Sequence, residues 1–334
     1  MRRILVVVAL VVGLAGLGAR EACAVSEAAA PSLIIPPGAR ACGLGQSFVG
    51  IADDATAMYW NPAGIAFTTG RNVALMHSQL IPELADDVYY EYFGYTQEIQ
   101  GLGMLGLSFT FLTYGKWQAM GESGEEGDFF SSYEFALGGT YAALLADNIS
   151  AGVSLKLVHV SLAPASATVE GEEGIGTSFA ADLGLLWRLF HGRVNLGANL
   201  QNIGPDISFI DVEQSAPLPR NLKTGVGIVM LQSDLNRVLG SFEVNVPLTG
   251  LERKFDDFAA WSDDVTLNGG VEWGFSKFLA LRAGYIHDPD GDIEGMTYGG
   301  GLHISSVGLT VDYATVPKAK DIGREDKFSI TVGF

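Results

Sequence analysis

Residues 131–145 read SSYEFALGGTYAALL, and their two parities differ in kind. Tyr133, Phe135, Leu137, Tyr141 and Leu145 stand on one, while Ser132, Glu134, Ala136, Gly138, Thr140 and Ala142 stand on the other. Successive side chains of a strand point to opposite faces, so this stretch makes one large apolar face and one small or polar face. TSFAADLGLLWR at 177–188 repeats the pattern, with Phe179, Leu183, Leu185 and Trp187 against Ser178, Asp182, Gly184 and Arg188.

Extended in both directions, this test predicts fourteen strands near residues 73–79, 88–97, 102–114, 131–145, 149–161, 177–188, 193–202, 221–231, 237–246, 264–274, 278–287, 296–304, 307–316 and 327–334. Most are about 9 to 11 residues or longer, enough to cross a bilayer as tilted strands. The connections alternate. Asp147-Asn148, 189–192, Ser276-Lys277 and Ser305-Ser306 are tight, whereas 115–130, 162–176, 204–220, 247–263, 288–295 and 317–326 are long. Short turns on one rim and long loops on the other are the expected form of a transmembrane antiparallel β-barrel with periplasmic termini. The long connections carry most of the chain's net negative charge, which suits an exposed surface or divalent-cation bridges to anionic headgroups.

The ends agree with that reading. Arg2-Arg3, an apolar run from Ile4 to Leu17 and Ala22-Cys23-Ala24 have the form of a secretory signal, so residues 1–24 are expected to be removed. Cys42 is then the single cysteine and no internal disulfide can form. At the other end, Phe328, Ile330, Val332 and the terminal Phe334 share one face, a pattern resembling the recognition signal of the barrel-assembly machinery. All-β fold, outer-membrane location, contact with membrane lipid and absence of nucleic-acid partners follow as expectations. The division is 1–24 signal peptide, 25–72 plug or hatch segment, and 73–334 barrel.

The segment before the first strand is unlike the rest. GQSFVGIADDATAMYWNPAGIA, residues 45–66, is rich in small residues that pack closely inside a narrow lumen. Asn61-Pro62 favours a turn, and Gly64 is expected to supply a backbone angle that other residues resist. With its flank GARACGL from 38, this stretch resembles the N-terminal signature of PorV/PorQ-like proteins, in the wider FadL-like group of outer-membrane barrels. LQNIG at 200–204, LPRNLKTGVG at 218–227 and the terminal Phe add to the likeness, while Cys42 departs from it.

The resemblance implies a fourteen-stranded barrel with a plug or hatch at Asp53, Asp54, Asn61, Pro62, Ala63 and Gly64. It further implies type IX secretion, with binding and carriage of secreted cargo from a translocon. The FadL side of the resemblance implies instead uptake of hydrophobic small molecules such as long-chain fatty acids; a purely structural barrel is the third class. Phe129, Phe130, Phe209, Ile210, Phe255, Phe258 and Trp261 are candidates for a cargo groove or for packing over the barrel mouth.

Enzyme motifs do not survive their context. Gly101-Leu-Gly103-Met-Leu-Gly106 runs into a strand rather than the helix a dinucleotide fingerprint needs. No Gly-x-Ser-x-Gly elbow occurs, and the five histidines lack metal spacing. Asp288, Asp290, Asp292 and Glu294 set carboxylates at every second position, as a calcium loop does, but lack the remaining EF-hand spacing and read first as an Asp-Gly turn between strands. No catalytic residue, metal site or cofactor is assigned. Glu134, Lys156, Asp182, Arg188, Asn195, Asn199, Glu243, Asn245, Glu272, Arg282, His303 and Asp312 fall on the inward parity in both signs, which argues for an internal network bracing barrel and plug.

Overall fold

A computed structural model describes residues 28–120, 125–168, 171–209, 215–249, 264–320 and 322–334. The expected signal peptide and loop residues Ile210, Phe255, Phe258 and Trp261 lie outside them. Fourteen antiparallel strands form one closed barrel in which each strand pairs with its sequence neighbours and β1 with β14. They are β1 (Arg71–Gln79), β2 (Val88–Ile99), β3 (Gly103–Met120), β4 (Glu126–Ala146), β5 (Ile149–Ala163), β6 (Gly174–Leu189) and β7 (Val194–Ile203). The second half comprises β8 (Asn221–Gln232), β9 (Asn236–Pro247), β10 (Thr266–Phe275), β11 (Leu279–Asp288), β12 (Ile293–Ile304), β13 (Leu309–Pro317) and β14 (Arg324–Gly333). Closure pairs every edge, the condition for a sheet in hydrocarbon, where an open edge has nothing to bond.

The alternation sorts as its period requires. Leu107, Leu137, Phe179, Leu183, Leu281 and Ile330 are exposed on the outer wall, while Glu134, Ser154, Asp182, Glu243 and Asp312 are buried inward. Aromatic rows mark two levels. Towards the long-loop rim, Tyr89, Phe111, Tyr133 and His159 follow one another across β2–β5 at ring separations of 6.3, 6.0 and 6.3 Å. Towards the tight-turn rim, Tyr141 donates to the Leu102 carbonyl at 2.6 Å and Trp273 to Asn236 at 3.0 Å. Such girdles are where amphipathic rings meet the two membrane surfaces.

Two connections differ from the sequence expectation. The stretch 115–130 is mostly strand: β3 leaves β2 after Tyr114 and β4 joins β5 only from Tyr133, yet β3 and β4 stay paired from Lys116↔Ser131 to Met120↔Glu126. The result is a two-stranded ribbon reaching about 15 Å beyond the rim. The stretch 288–295 shrinks to a turn at Pro289–Asp292, because β11 and β12 pair up to Asp288↔Ile293. The ribbon starts at a bulge where Gly115 has φ +82° and lies against the Asp87 carboxylate.

Inside the barrel lies the chain from residue 28 to 70. It holds two short helices, α1 (Ala39–Gly43) and α2 (Ala57–Trp60), and 3-10 turns at Pro31–Leu33 and Pro62–Phe67. Ala41, Leu44, Phe48, Ile51 and Trp60 of this segment form an apolar cluster with Leu239 of the wall. The molecule's core is therefore its filled lumen.

Candidate functional site

Arg40 is the hub of the contact between segment and wall. Its Nη1 lies 2.5 Å from Asp53 and 3.5 Å from Asp54, and its Nε and Nη2 donate to the two oxygens of Glu272 on β10 at 2.9 and 3.1 Å. Glu272 also accepts from Arg282 Nε at 2.7 Å, and Arg282 Nη1 reaches Asp312 at 2.6 Å. Asp53, Arg40, Glu272, Arg282 and Asp312 thus form one unbroken ionic chain from the lumenal segment through β10 and β11 to β13. Burial pulls the Arg40 guanidinium down, but Asp53, Glu272 and Asp54 outweigh it and hold Arg40 well above its ordinary value. Burial pushes the Asp54 carboxyl up; Arg40 opposes this, and Asp53 adds to it. Thr56 donates to Asp54 through its backbone N–H at 2.8 Å and its hydroxyl at 2.5 Å.

Two further wall carboxylates hold the segment by its backbone. Glu243 on β9 accepts the N–H groups of Phe48 and Val49, both at 2.8 Å, with Lys223 Nζ at 3.3 Å on its other oxygen. Glu134 on β4 accepts the Ser32 N–H at 3.0 Å and the Tyr114 hydroxyl. A carboxylate aimed at backbone donors makes charge-assisted hydrogen bonds, about twice the strength of neutral ones.

Asn61-Pro62-Ala63 is fully enclosed. Asn61 Oδ1 accepts the Ala63 N–H at 3.1 Å, which caps the 3-10 turn, and Nδ2 donates to Val49 and Leu185 carbonyls at 3.0 Å each. Ser150 of β5 donates to the Ala63 carbonyl at 2.8 Å. The wall facing this turn is glycine: a Cβ on Gly184 would lie 2.3 Å from Asn61 Oδ1, and one on Gly152 2.4 Å from the Pro62 carbonyl carbon. Gly64 corrects the sequence expectation. Its φ is not positive; its need is space, because a Cβ there would meet the Ala52 carbonyl oxygen at 2.0 Å.

The 200–204 and 218–227 segments meet at the same place. Gln201 and Asn199 of β7 donate to the Tyr59 and Trp60 carbonyls at 2.6 and 3.0 Å, and Lys223 of β8 lies 5.1 Å from the Trp60 ring centre. Asn202 bulges at φ +59°, its N–H bonded to Asp182 at 2.8 Å and its amide to the Pro219 carbonyl at 2.8 Å. Lys156 closes that corner at 2.7 Å from Asp182.

The structure brings Asp53 and Asp54 together at Arg40 and places Asn61, Pro62, Ala63 and Gly64 about the β5–β6 wall. Phe328, Ile330, Val332 and Phe334 lie apart, on the outward side of the β14 seam with β1. Of the inward set, Arg188 stacks 3.8 Å from the Phe67 ring centre, His303 bonds Thr310 at 2.8 Å, and Asn195 and Asn245 leave a buried oxygen unbonded. Sequence reasoning missed Arg40, Lys223 and Lys327. Arg40 had a signal: it is the lone cation between residues 28 and 70. Buried Lys327 bonds Glu325 at 3.0 Å and the Pro36 carbonyl at 3.3 Å. Cys42 packs beside it; burial pushes its thiol up to about 11, so it is not a poised nucleophile. These ion pairs and backbone contacts brace the lumenal segment against the wall.

A family model described as the type IX secretion system protein PorV matches residues 19–251. Curated protein sequences give no match. Among solved structures, the toluene transporter TbuX of Ralstonia pickettii is similar at TM-score 0.57 and 13% identity, covering 89% of this chain and 98% of that one. The toluene transporter TodX of Pseudomonas putida gives 0.54 and 14%, over 89% and 96%. A FadL homologue of Pseudomonas aeruginosa gives 0.53 and 11%, over 89% and 98%. At such identities the likeness is one of fold.

Proposed function

We propose, since this chain belongs to the PorV family of type IX secretion system proteins, that it is an outer-membrane barrel which binds exported cargo at its outer loops and carries it at the cell surface. The observation that carries the reading is the bonding of residues 28–70 to the lumenal wall. Three wall glutamates, Glu134, Glu243 and Glu272, and a glycine-faced turn hold residues 28–70 across the bore, which leaves the outer rim as the working surface. The β3–β4 ribbon supports it, presenting Trp117, Met120 and Phe129 at 54, 61 and 72% exposure, beyond any barrel contact of their strands. Apolar groups held clear of the membrane wall suit protein contact. In this reading residues 1–24 direct export, Phe328, Ile330, Val332 and Phe334 address the barrel-assembly machinery, and a secretion translocon supplies the cargo.

The fold shared with toluene transporters and a FadL homologue favours a second reading. Here Asn61, Pro62, Ala63 and Gly64, tethered through Asp53 and Asp54, act as a hatch that moves to admit a hydrophobic small molecule. Mass spectrometry of what co-purifies with the natively expressed barrel in mild detergent separates the two. Exported proteins sharing a C-terminal domain support cargo carriage; an enriched apolar compound without protein partners supports uptake.

A further inference from the structure

The outer wall of β8–β12 is not smooth. Gly269 stands between its register partners Phe242 and Tyr285, and one pair nearer the tight-turn rim Gly240 stands between Ile228 and Val271. Where they adjoin, the wall recedes into an apolar groove of about 540 Å³, with Met296 at its upper end. Neither glycine is needed by the chain. Neither has a positive φ. A Cβ on Gly269 has no atom nearer than 3.5 Å, and one on Gly240 meets only the flexible tip of Met230 at 2.9 Å. The next residue, Gly270, points inward and is needed, since a Cβ there would lie 2.4 Å from the Leu44 carbonyl oxygen.

The groove's height and charge say what fills it. It ends just below the level where the Tyr285 and Tyr313 hydroxyls donate to Glu294 and Asp326 at 2.7 and 2.8 Å, so it lies in hydrocarbon beneath the outer headgroups. At that level Arg324 Nη2 donates to the Met296 carbonyl at 2.9 Å, and the guanidinium lies 5.6 Å from the Tyr298 ring centre. Nε bonds Thr315 at 3.1 Å, and Nη1 has no partner among the described residues. A cation above an apolar groove complements a phosphate above an acyl chain.

We propose that this groove holds one acyl chain of a phosphate-bearing lipid of the outer leaflet, with Arg324 on the phosphate. The test titrates the full barrel in dodecyl maltoside with dimyristoyl phosphatidate and with dimyristoylglycerol, counting bound lipid by native mass spectrometry. One phosphatidate binds per barrel, and the glycerol lipid binds at least about tenfold more weakly, as expected for loss of a charge-assisted contact. Gly269→Leu and Gly240→Val, which fill the groove from its two sides, and Arg324→Gln each weaken phosphatidate binding about tenfold. Gly139→Leu, outward on β4 where an added Cβ meets nothing within 4 Å, keeps wild-type binding. Folding is checked for each variant by resistance to unfolding in SDS before heating. Phosphatidate binding within twofold of wild type in Arg324→Gln or in a folded groove-filled variant overturns the proposal, as does equal binding of the two lipids.

Discussion

Arg40 serves four carboxylate contacts with one guanidinium, and the fork geometry of that group is what permits it: Glu272 is held from one edge while Asp53 and Asp54 take another nitrogen. Removing one member of a buried ionic set strands the rest. Arg40→Ala is therefore expected to lower the unfolding free energy by about 3 kcal/mol, read as a lower denaturation midpoint, and to raise single-channel conductance in planar bilayers. An unchanged conductance would show that the ionic chain does not hold the segment in place. Asp54 behaves oppositely. Its carboxyl is raised above the ordinary range by burial, so the stability it contributes is present below its unfolded pKa and is lost as pH rises through the folded one. Asp54→Asn keeps the acceptor for Thr56 and removes the buried charge. The variant should match or exceed wild-type thermal stability at pH 7, and the difference should vanish in acid; a less stable variant at pH 7 would show that the Arg40 contact dominates.

At the scale of elements, strand and lumenal turn fit because the wall supplies glycine where the chain approaches. Gly184→Val drives a side chain into Asn61 and should displace the Asn61-Pro62-Ala63 turn at a cost of about 1–3 kcal/mol, exposing residues 61–67 to protease in the intact barrel. Gly139→Val has nothing to strike and is expected within about 0.5 kcal/mol of wild type. Protease resistance in both would disconnect the turn from the wall. The β3–β4 ribbon obeys a different rule. Its residues beyond Tyr114 and Tyr133 pair only with one another, so deleting 117–130 should leave barrel melting unchanged within a few degrees while abolishing co-purification of cargo. Its strand character was hidden in the sequence by Gly115 and the bulge, which reset the parity that the alternation test follows. Alternation alone therefore ends the strand at 114.

For the whole molecule, the seam that closes the barrel runs to the last residue. Phe334 exchanges two backbone hydrogen bonds with Arg71, each 2.9 Å, at the seam where β14 meets β1. Deleting Phe334 should reduce the yield of inserted, SDS-resistant barrel severalfold, while Phe334→Trp keeps it; equal yields for all three would remove any role for the terminal ring. The sequence by itself determined the strand count, the two faces of each strand and the unusual character of residues 38–66. It did so because a barrel wall has two unlike solvents, lipid and lumen, and period-two alternation writes that difference locally into every strand. Only the tertiary structure decided which charges meet. Arg40 and Glu272 are 232 positions apart, and Phe48 and Glu243 are 195 apart. Nothing local selects one inward carboxylate over another, because the partner is chosen by barrel closure and by the path of the lumenal segment. For the same reason the roles of Gly152 and Gly184 are set only by the turn they face: the space a glycine leaves takes its meaning from what fills it.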